Sequence, residues 1–312
     1  MYCEEVAFVE GTPVGIRASE IRDYPPHWHD QILEVVFVLR GRINLITSFE
    51  NFAVEAGEFV LINQGEIHHI HGDGDNTVIS LYIDLRSFEQ YYENIGYIYF
   101  SWETFNPGNQ QIQDSFRLKK LFLVLMLELG RKRDGCADTV NRMIRKIVDL
   151  LIYRFDIAHY YNDRNIPREQ LHKYHDIVRY LEENYAEKIT MEDLAKEEYM
   201  GKNYVSQFWK RITEMNFTEF INSRRAEMAE RLLLTTDLSM QDVSERCGFS
   251  DPKYFYKSFK KWYRCTPSEH RKKYREHYEK LGSSFRDMEI GDLTGGLEKL
   301  LTEYYIEEEL ST

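Results

Sequence analysis

Between Thr190 and Trp262 one pattern is written twice, and that repetition restricts the fold more than any other feature of the chain. In ITMEDLAKEEYMGKNYVSQFWKRI, Thr190 suits a helix N-cap, and Asp193 three residues on completes a capping-box-like start. Leu194 and Ala195 face inward on that reading, and Gly201 falls where a turn between two short helices needs a small residue. The following helix carries Val205, Phe208, Trp209 and Ile212 on one face and Asn203, Ser206, Gln207 and Lys210 on the other. LSMQDVSERCGFSDPKYFYKSFKKWY then repeats the plan. Ser239 is the cap, Val243 and Cys247 lie inside, Gly248 makes the turn, and Pro252 opens the next helix. There Phe255, Phe259 and Trp262 are apolar, while Lys253, Tyr256, Lys257, Lys260 and Lys261 line the other side. Each half reads as a helix-turn-helix, a brace helix followed by one that offers polar side chains to a groove. FTEFINSRRAEMAERLLLTT, the helix between them, sets their separation.

A net charge of −12 looks unfavourable for a nucleic-acid partner. The total conceals an asymmetry: residues 170–280 carry 21 Lys+Arg and 19 Asp+Glu, whereas residues 1–169 carry 17 and 25, and residues 281–312 carry 2 and 8. Phosphate contacts depend on local basic stripes, so a near-neutral segment does not prohibit DNA binding. The 312 residues suffice for two or three domains. No apolar run approaches the roughly 18 residues of a membrane span. MYCEEVAFVE lacks the basic start and apolar middle of a signal peptide, so the expected location is cytoplasmic, with no membrane partner. Cys3, Cys136, Cys247 and Cys265 have no CxxC spacing and suggest neither a zinc site nor a disulfide framework.

Upstream the texture differs. LEVVFVLRGRINLITSF is β-branched and aromatic with Gly41 at a hairpin-like turn, and short apolar runs punctuated by Gly, Asn and Asp continue to about residue 100. Many short strands at this spacing suggest a sandwich or barrel. From about 110, apolar residues recur at three- and four-residue spacing, giving an antiparallel helix pair over 112–130 and 138–158. YNDRNIPREQ, 161–170, reads as a linker. After Gly282 comes an acidic tail, either a last helix or a flexible arm. The expected domains are 1–105, a barrel; 106–162, the helix pair, for dimerisation or linking; 163–280, the twin helix-turn-helix unit; and 281–312, the acidic tail.

The run NSRRAEMAERLLLTTDLSMQDVSERCGFSDPKYFYKSFKKWYRCTPSEHRK resembles the DNA-binding domain of the AraC/XylS family of bacterial transcription regulators. The Arg-, Ala- and Leu-Leu-bearing linker helix, the Gly-Phe at the second turn, the YF-x3-FKK helix and the TP-x3-R ending carry the likeness, over roughly 172–276. Two departures stand out. Met215 and Asn216 occupy the place where the family often has glycine, and Pro252 has no donor for a base edge. The resemblance implies a DNA duplex as partner, RNA polymerase as a further one, and base contacts from Lys202, Asn203, Ser206 and Gln207 in the first unit and Lys253, Tyr256 and Lys257 in the second. Asn and Gln suit adenine edges and Lys suits guanine. Lys210, Arg224, Arg225, Lys260 and Lys261 complete the expected DNA-binding set, Arg224, Arg225, Lys260 and Lys261 as phosphate contacts that position without specifying.

A second motif lies near the N-terminus. HWHDQILE gives His27-x-His29-x4-Glu34-x6-Gly41, followed by Gly57-x7-Gly65-x2-His68. In an extended chain His27 and His29 share a face. This looks like the cupin barrel, whose two motifs supply three His and one Glu to a metal, with Asn63 replacing the family's proline. His27, His29, Glu34 and His68 are thus the candidate ligands for a metal, although no cofactor is expected. In sensors of AraC-type regulators such a pattern more often serves structure or recognition. Arg17, His27, Trp28, His29, Glu34, His68, Ser80 and Tyr82 are the candidate ligand-binding residues, and Asp84 shares a strand face with Ser80 and Tyr82. His69 and His71 read as solvated loop residues. Polar groups beside aromatic rings suit a sugar.

The fold class expected is α+β multidomain: a cupin-like β-barrel with a helix pair, then an all-α domain with two helix-turn-helix units. The function expected is a non-enzymatic, ligand-responsive regulator, an activator of carbohydrate-utilisation genes, acting as a homodimer. The alternatives are a metal-dependent cupin enzyme fused to a DNA-binding module and an effector-independent DNA-binding protein.

Overall fold

A computed structural model describes residues 2–47, 51–92, 95–98, 100, 112–131, 135–154, 168–197, 199–213, 216–280 and 284–311. Residues 161–167 of the expected linker, Met215, Gly282 and the expected domain boundaries near 105, 162 and 281 lie outside them. Arg168, Glu169 and Gln170, taken as linker, already belong to a helix. The described residues fall into two compact units, one drawn from Tyr2–Gln90, Tyr99–Ala158 and Gly282–Thr312, the other from Tyr91–Ile98 and His159–Leu281.

The first unit is a nearly closed, largely antiparallel barrel. Its strands are β1 (Tyr2–Cys3), β2 (Val14–Trp28), β3 (Ile32–Arg40), β4 (Arg42–Thr47), β5 (Asn51–Glu55), β6 (Phe59–Ile62), β7 (His68–Gly72) and β8 (Thr77–Asp84), hydrogen-bonded in the order β5-β4-β7-β2-β8-β3-β6. Gly41 adopts φ 77°, and a Cβ there would lie 2.4 Å from the Asp75 carbonyl oxygen, so glycine is required. The turn is not a hairpin, however. β3 pairs with β6 and β8, and β4 with β5 and β7, so Gly41 carries the chain from one part of the sheet to another. Strand alternation sorts the faces. Val36, Val38, Ile43, Leu45, Val60, Ile62, Ile70 and Val78 pack together inside. Phe59 points the other way and meets Phe122 edge-on, with ring centroids 5.3 Å apart.

Phe122 belongs to α1 (Ile112–Arg131), which pairs with α2 (Cys136–Arg154) as the apolar spacing requires. Leu118, Leu125 and Met126 of α1 and Val140, Ile144 and Ile147 of α2 are fully buried. The acidic C-terminal segment is neither a separate domain nor a free arm. Residues Ser284–Met288 form β9, which pairs antiparallel with β2 from Ala18↔Met288 to Ile21↔Phe285. A 3-10 turn (Ile290–Leu293) leads into α10 (Thr294–Ser311), which lies on α1. Leu297 is wholly buried, Arg131 binds Glu298 at 2.7 Å, and the Tyr304 hydroxyl donates to the Gly57 carbonyl at 2.9 Å. Phe285 on Tyr24, Asp287 on Arg17 and the buried Leu297 together hold this segment in place.

The second unit consists of α3 (Arg168–Asn184), α4 (Met191–Glu197), α5 (Lys202–Thr213), α6 (Phe217–Thr235), α7 (Met240–Arg246), α8 (Pro252–Tyr263) and α9 (Pro267–Lys280), together with a short segment near residue 95. Helix α6 contributes to two cores. Phe220 and Ile221 join Tyr174, Leu181, Leu194, Val205 and Trp209, whereas Ala226, Ala229 and Leu233 join Val243, Cys247, Phe255 and Phe259. The caps are those the sequence indicates: Thr190 and Asp193 exchange hydrogen bonds ahead of α4, and Ser239 and Asp242 form a capping box on α7. Pro252 opens α8, with Asp251 as its N-cap. The turns differ from expectation. Gly201 has an ordinary backbone and open space around it, and the left-handed residue of the first turn is Tyr199, at φ 52°.

Candidate functional site

Two sets of side chains carry chemistry, one in each unit. In the helical unit, Lys202, Asn203, Ser206, Gln207 and Lys210 are all exposed on α5, opposite the buried Val205, Phe208 and Trp209. On α8, Lys253, Lys257, Lys260 and Lys261 are exposed opposite Phe255 and Phe259. Lys202 is bonded to Glu192 and Lys261 to Glu219, so both cations have protein partners. Tyr256 is half-buried, and its hydroxyl lies 3.2 Å from Ser268 Oγ, which ties it to α9 more than to solvent.

Two expected phosphate contacts are not available. Arg224 is only 8% exposed, with Nε 2.5 Å from Glu182 and Nη1 2.7 Å from Glu227. Arg225 turns back to the end of α3, donating to the carbonyls of Tyr185 and Glu187 at 2.8 Å each. Helix periodicity alone did not show that these two guanidiniums point inward. The sequence reading also missed Tyr204 and Tyr254, 47% and 57% exposed at the third position of α5 and α8. Laying the two helices over each other from their first residues would have found them.

In the barrel unit His27, His29, Glu34 and His68 come together. Their ligand-type atoms all lie within 4.8 Å of one another, and all four residues are buried. Strand register explains the meeting. His27 is paired with His68 across β2 and β7, and Glu34 with Tyr82 across β3 and β8, so their side chains share the inner face. Each histidine is held through Nδ1, which donates to a backbone carbonyl: Pro25 at 2.8 Å for His27, Glu4 at 3.2 Å for His29 and Glu66 at 2.9 Å for His68. A carbonyl only accepts, so the proton on each ring is placed at Nδ1 and Nε2 is turned to the centre.

The centre then holds more acceptors than donors. His68 Nε2 lies 3.0 Å from Glu34 Oε2 without a hydrogen bond between them, and His27 Nε2 lies 3.3 Å from Glu4 Oε2, which has no hydrogen-bond donor. His29 differs, because its Nε2, 3.2 Å from Glu34 Oε2, donates to that carboxylate when the ring takes up a second proton. Burial lowers the pKa of the His29 imidazole, but the hydrogen bond and charge of Glu34 outweigh it and leave it raised. Burial, with the neighbouring His68 and His29 rings, keeps His27 well below its usual range. Burial would raise Glu34, yet the His68 and His29 rings hold it well below the usual carboxylate range. Lone pairs facing one another in a buried site are costly unless a cation lies between them. Imidazoles fixed by an outer hydrogen bond and aimed at a carboxylate are also the arrangement metal-binding histidines use. The residues fit a divalent metal.

Glu4 was not expected at all. It comes from the chain preceding β2 and closes the cluster, and its Oε1 is bonded by Tyr24 and, at 2.9 Å, by Arg17. Burial and Glu4 raise the Tyr24 hydroxyl well above its ordinary pKa. Arg17 continues outward to Asp287 of β9, with Nε 2.8 Å from Oδ1. Of the other expected ligand residues, Ser80 and Tyr82 are on the inner face, and the Tyr82 ring sits 5.1 Å from His29. Trp28 lies between the two histidines, so alternation turns it away from the cluster, and it is half-buried. Asp84 caps the following 3-10 turn and binds Arg86. His69 and His71 are strand residues rather than loop residues, His69 being buried and His71 lying 3.4 Å from Asp23.

Comparison with known proteins bears on both regions. A family model described as an AraC-like ligand binding domain matches residues 11–136, and one described as a helix-turn-helix domain matches residues 194–273. The HTH-type transcriptional regulator YdiP of Escherichia coli (strain K12) is 25% identical over 286 residues, covering 87% of this chain and 90% of that one. YisR of Bacillus subtilis (strain 168), also an HTH-type transcriptional regulator, is 25% identical over 255 residues, covering 77% and 86%. The melibiose operon regulatory protein of Escherichia coli (strain K12) is 20% identical over 262 residues, covering 79% and 83%.

Proposed function

The chain belongs to the AraC/XylS family of transcription regulators, and from that premise we propose that it binds specific DNA sequences through α5 and α8 under the control of a small molecule sensed by the barrel unit. That it is a DNA-binding regulator with a ligand-binding domain follows from the family. Among the described residues no helix is long and apolar enough to cross a membrane. We propose a cytoplasmic location, where its DNA partner lies. The observation that carries the reading is the pair of recognition helices, each with a buried apolar face and an exposed polar one, joined by the single helix α6. The DNA contacts proposed are Lys202, Asn203, Ser206, Gln207, Lys210, Lys253, Lys257, Lys260 and Lys261. We propose a carbohydrate as the effector, activation of carbohydrate-utilisation genes as the outcome, a homodimer built through the α1–α2 pair, and RNA polymerase as partner. The carbohydrate is supported by the name of the melibiose relative. No turnover is proposed, since all four residues of the cluster are buried beneath Glu4.

The test is fluorescence anisotropy of the full chain on DNA selected from a random pool. A preference of at least about 10³ over unrelated duplex is expected. Equal affinity for all sequences at low salt overturns the reading. A sugar that acts as effector raises the melting temperature, because a ligand at about 100 times its dissociation constant adds roughly 2.7 kcal/mol. If a broad panel leaves the melting temperature unmoved, the carbohydrate assignment falls.

The convergence of Nε2 atoms favours a second reading of the barrel, in which His27, His29, Glu34 and His68 hold a divalent metal. The metal would supply a fixed positive charge that ties β2, β3 and β7 together. Metal analysis and the melting temperature with and without a chelator test it. Stoichiometric metal, lost in His29→Ala, is expected. A metal-free protein indifferent to chelator and to added Fe2+, Ni2+, Mn2+ and Zn2+ dismisses it.

A further inference from the structure

A cavity of about 640 Å3 opens in the barrel unit where β2, the α1–α2 corner and the C-terminal segment meet. It is distinct from the barrel interior, which the chain's own aliphatic side chains fill. Ile16, Leu129, Met288 and Ile290 give it an apolar floor. Among the described residues its rim carries the carboxylates of Glu10, Asp287 and Glu289 and the guanidinium of Arg17. That guanidinium is already shared between Asp287 and Glu4. The volume is that of an ordinary small-molecule site, and an apolar floor under an acidic rim selects a ligand with both a hydrocarbon body and a positive charge.

Four lining residues, Asp287 to Ile290, lie in the segment that follows α9 of the DNA-binding unit in the chain. The cavity therefore exists only while β9 is paired with β2. The docking contacts are specific: four register pairs, Arg17 and Ser19 on Asp287, and the Phe285 ring 4.5 Å from that of Tyr24. Anything that fills the cavity binds the docked form alone and shifts the equilibrium towards it by its full affinity.

We infer that this cavity is a second ligand site, that it takes a small organic cation (a protonated amine on a compact apolar body), and that its occupant clamps the C-terminal strap onto the barrel. The inference rests on the reading of the chain as a ligand-responsive regulator. Arg17 links the two sites, since it touches Glu4 of the histidine cluster and Asp287 of the strap.

The experiment uses the full chain with hexylammonium as probe and hexanol and hexanoate as neutral and anionic controls. Melting temperature and amide hydrogen exchange of β9 are the readouts. Hexylammonium raises both; if β9 exchanges by undocking, its protection rises about 100-fold at 100 times the dissociation constant. Glu10→Lys, at an exposed rim position outside the β9–β2 ladder, weakens binding at least tenfold, and the exchange of β9 in the free variant is measured alongside. Equal shifts by the alcohol or the carboxylate, unchanged affinity in Glu10→Lys, or binding without protection of β9 each overturn the inference. If the amine binds and protects β9 but the protein shows no DNA preference, the regulator reading falls and the site stands. Specific DNA binding with no response to the amine refutes the site alone.

Discussion

The two helix-turn-helix units share a plan and differ in chemistry. Their brace helices begin at Met191 and Met240, 49 positions apart, and their recognition helices at Lys202 and Pro252, 50 apart. Leu194 and Val243, Val205 and Phe255, and Trp209 and Phe259 fill matching core positions. The exposed faces do not match. Asn203, Ser206 and Gln207 give the first face paired donors and acceptors beside the cations Lys202, Lys210 and Arg211, whereas the second carries Lys253, Lys257, Lys260 and Lys261 with no exposed amide. Directional amides and hydroxyls read base edges, and ammonium groups attract phosphates wherever they are. From the difference in amides we propose two tasks for one scaffold, discrimination by the first unit and retention by the second.

The largest effect expected concerns what holds the first unit together. Arg224→Ala strands Glu182 and Glu227 in a nearly buried site, and breaking such a pair costs about 3–5 kcal/mol. Urea unfolding of the helical unit reads it, and a loss under 1 kcal/mol would return Arg224 to the surface. Next comes the second turn. Gly248 has φ 78°, and a Cβ there would sit 2.3 Å from the Ala186 carbonyl oxygen. Gly248→Ala should cost about 2–4 kcal/mol, whereas Gly201→Ala, at the N-cap of α5 with an ordinary backbone and open space, should cost under about 1 kcal/mol. Equal responses would mean that the two turns are built alike.

DNA binding sharpens the comparison further. Gln207→Ala should lose about 1–3 kcal/mol on the preferred sequence, little on others, and keep the salt dependence. Lys257→Ala, if the second unit retains rather than reads, should weaken all sequences alike and reduce the salt slope by about 1. Anisotropy titrations at several salt concentrations separate the two. A sequence-selective loss in Lys257→Ala would make it a base contact, as the family resemblance suggests, and would dissolve the division of tasks.

What the sequence made legible follows from how local each signal is. Caps, turn prolines and helix faces depend on neighbours three or four residues away, so Thr190, Ser239, Pro252 and the buried rows of α5 and α8 could be read directly. The four ligand types of the barrel were legible because strand alternation fixes their side. Three features depended on contacts distant in the chain and were not legible. Glu4 closes the cluster from 25 positions before His29. Gly41 turns without making a hairpin because β3 pairs with β6 and β8. The acidic tail docks through Phe285, Asp287 and Leu297, whose partners Tyr24, Arg17 and α1 lie more than 160 residues away.

The smallest effect tests the first turn by making it like the second. Tyr199 holds a left-handed backbone at φ 52°, a region that disfavours any side chain with a Cβ by roughly 1–2 kcal/mol. Its ring is 98% exposed, so removing it forfeits almost no packing. Against the relief stands the extra freedom that glycine gives the unfolded chain, worth roughly 0.5–1 kcal/mol. The difference leaves Tyr199→Gly about 0.5–1 kcal/mol more stable, readable as a shift of the urea midpoint at unchanged slope. Tyr199 is a costly choice for a turn that Gly248 makes without strain, and an exposed ring beside α5 is where a nucleic-acid partner would meet it. If Tyr199→Gly gains stability but loses affinity for DNA, the first unit tolerates strain in order to present an aromatic side chain. If it gains stability and binds as before, the difference between the two turns has no consequence for recognition, and the faces of α5 and α8 alone distinguish the units.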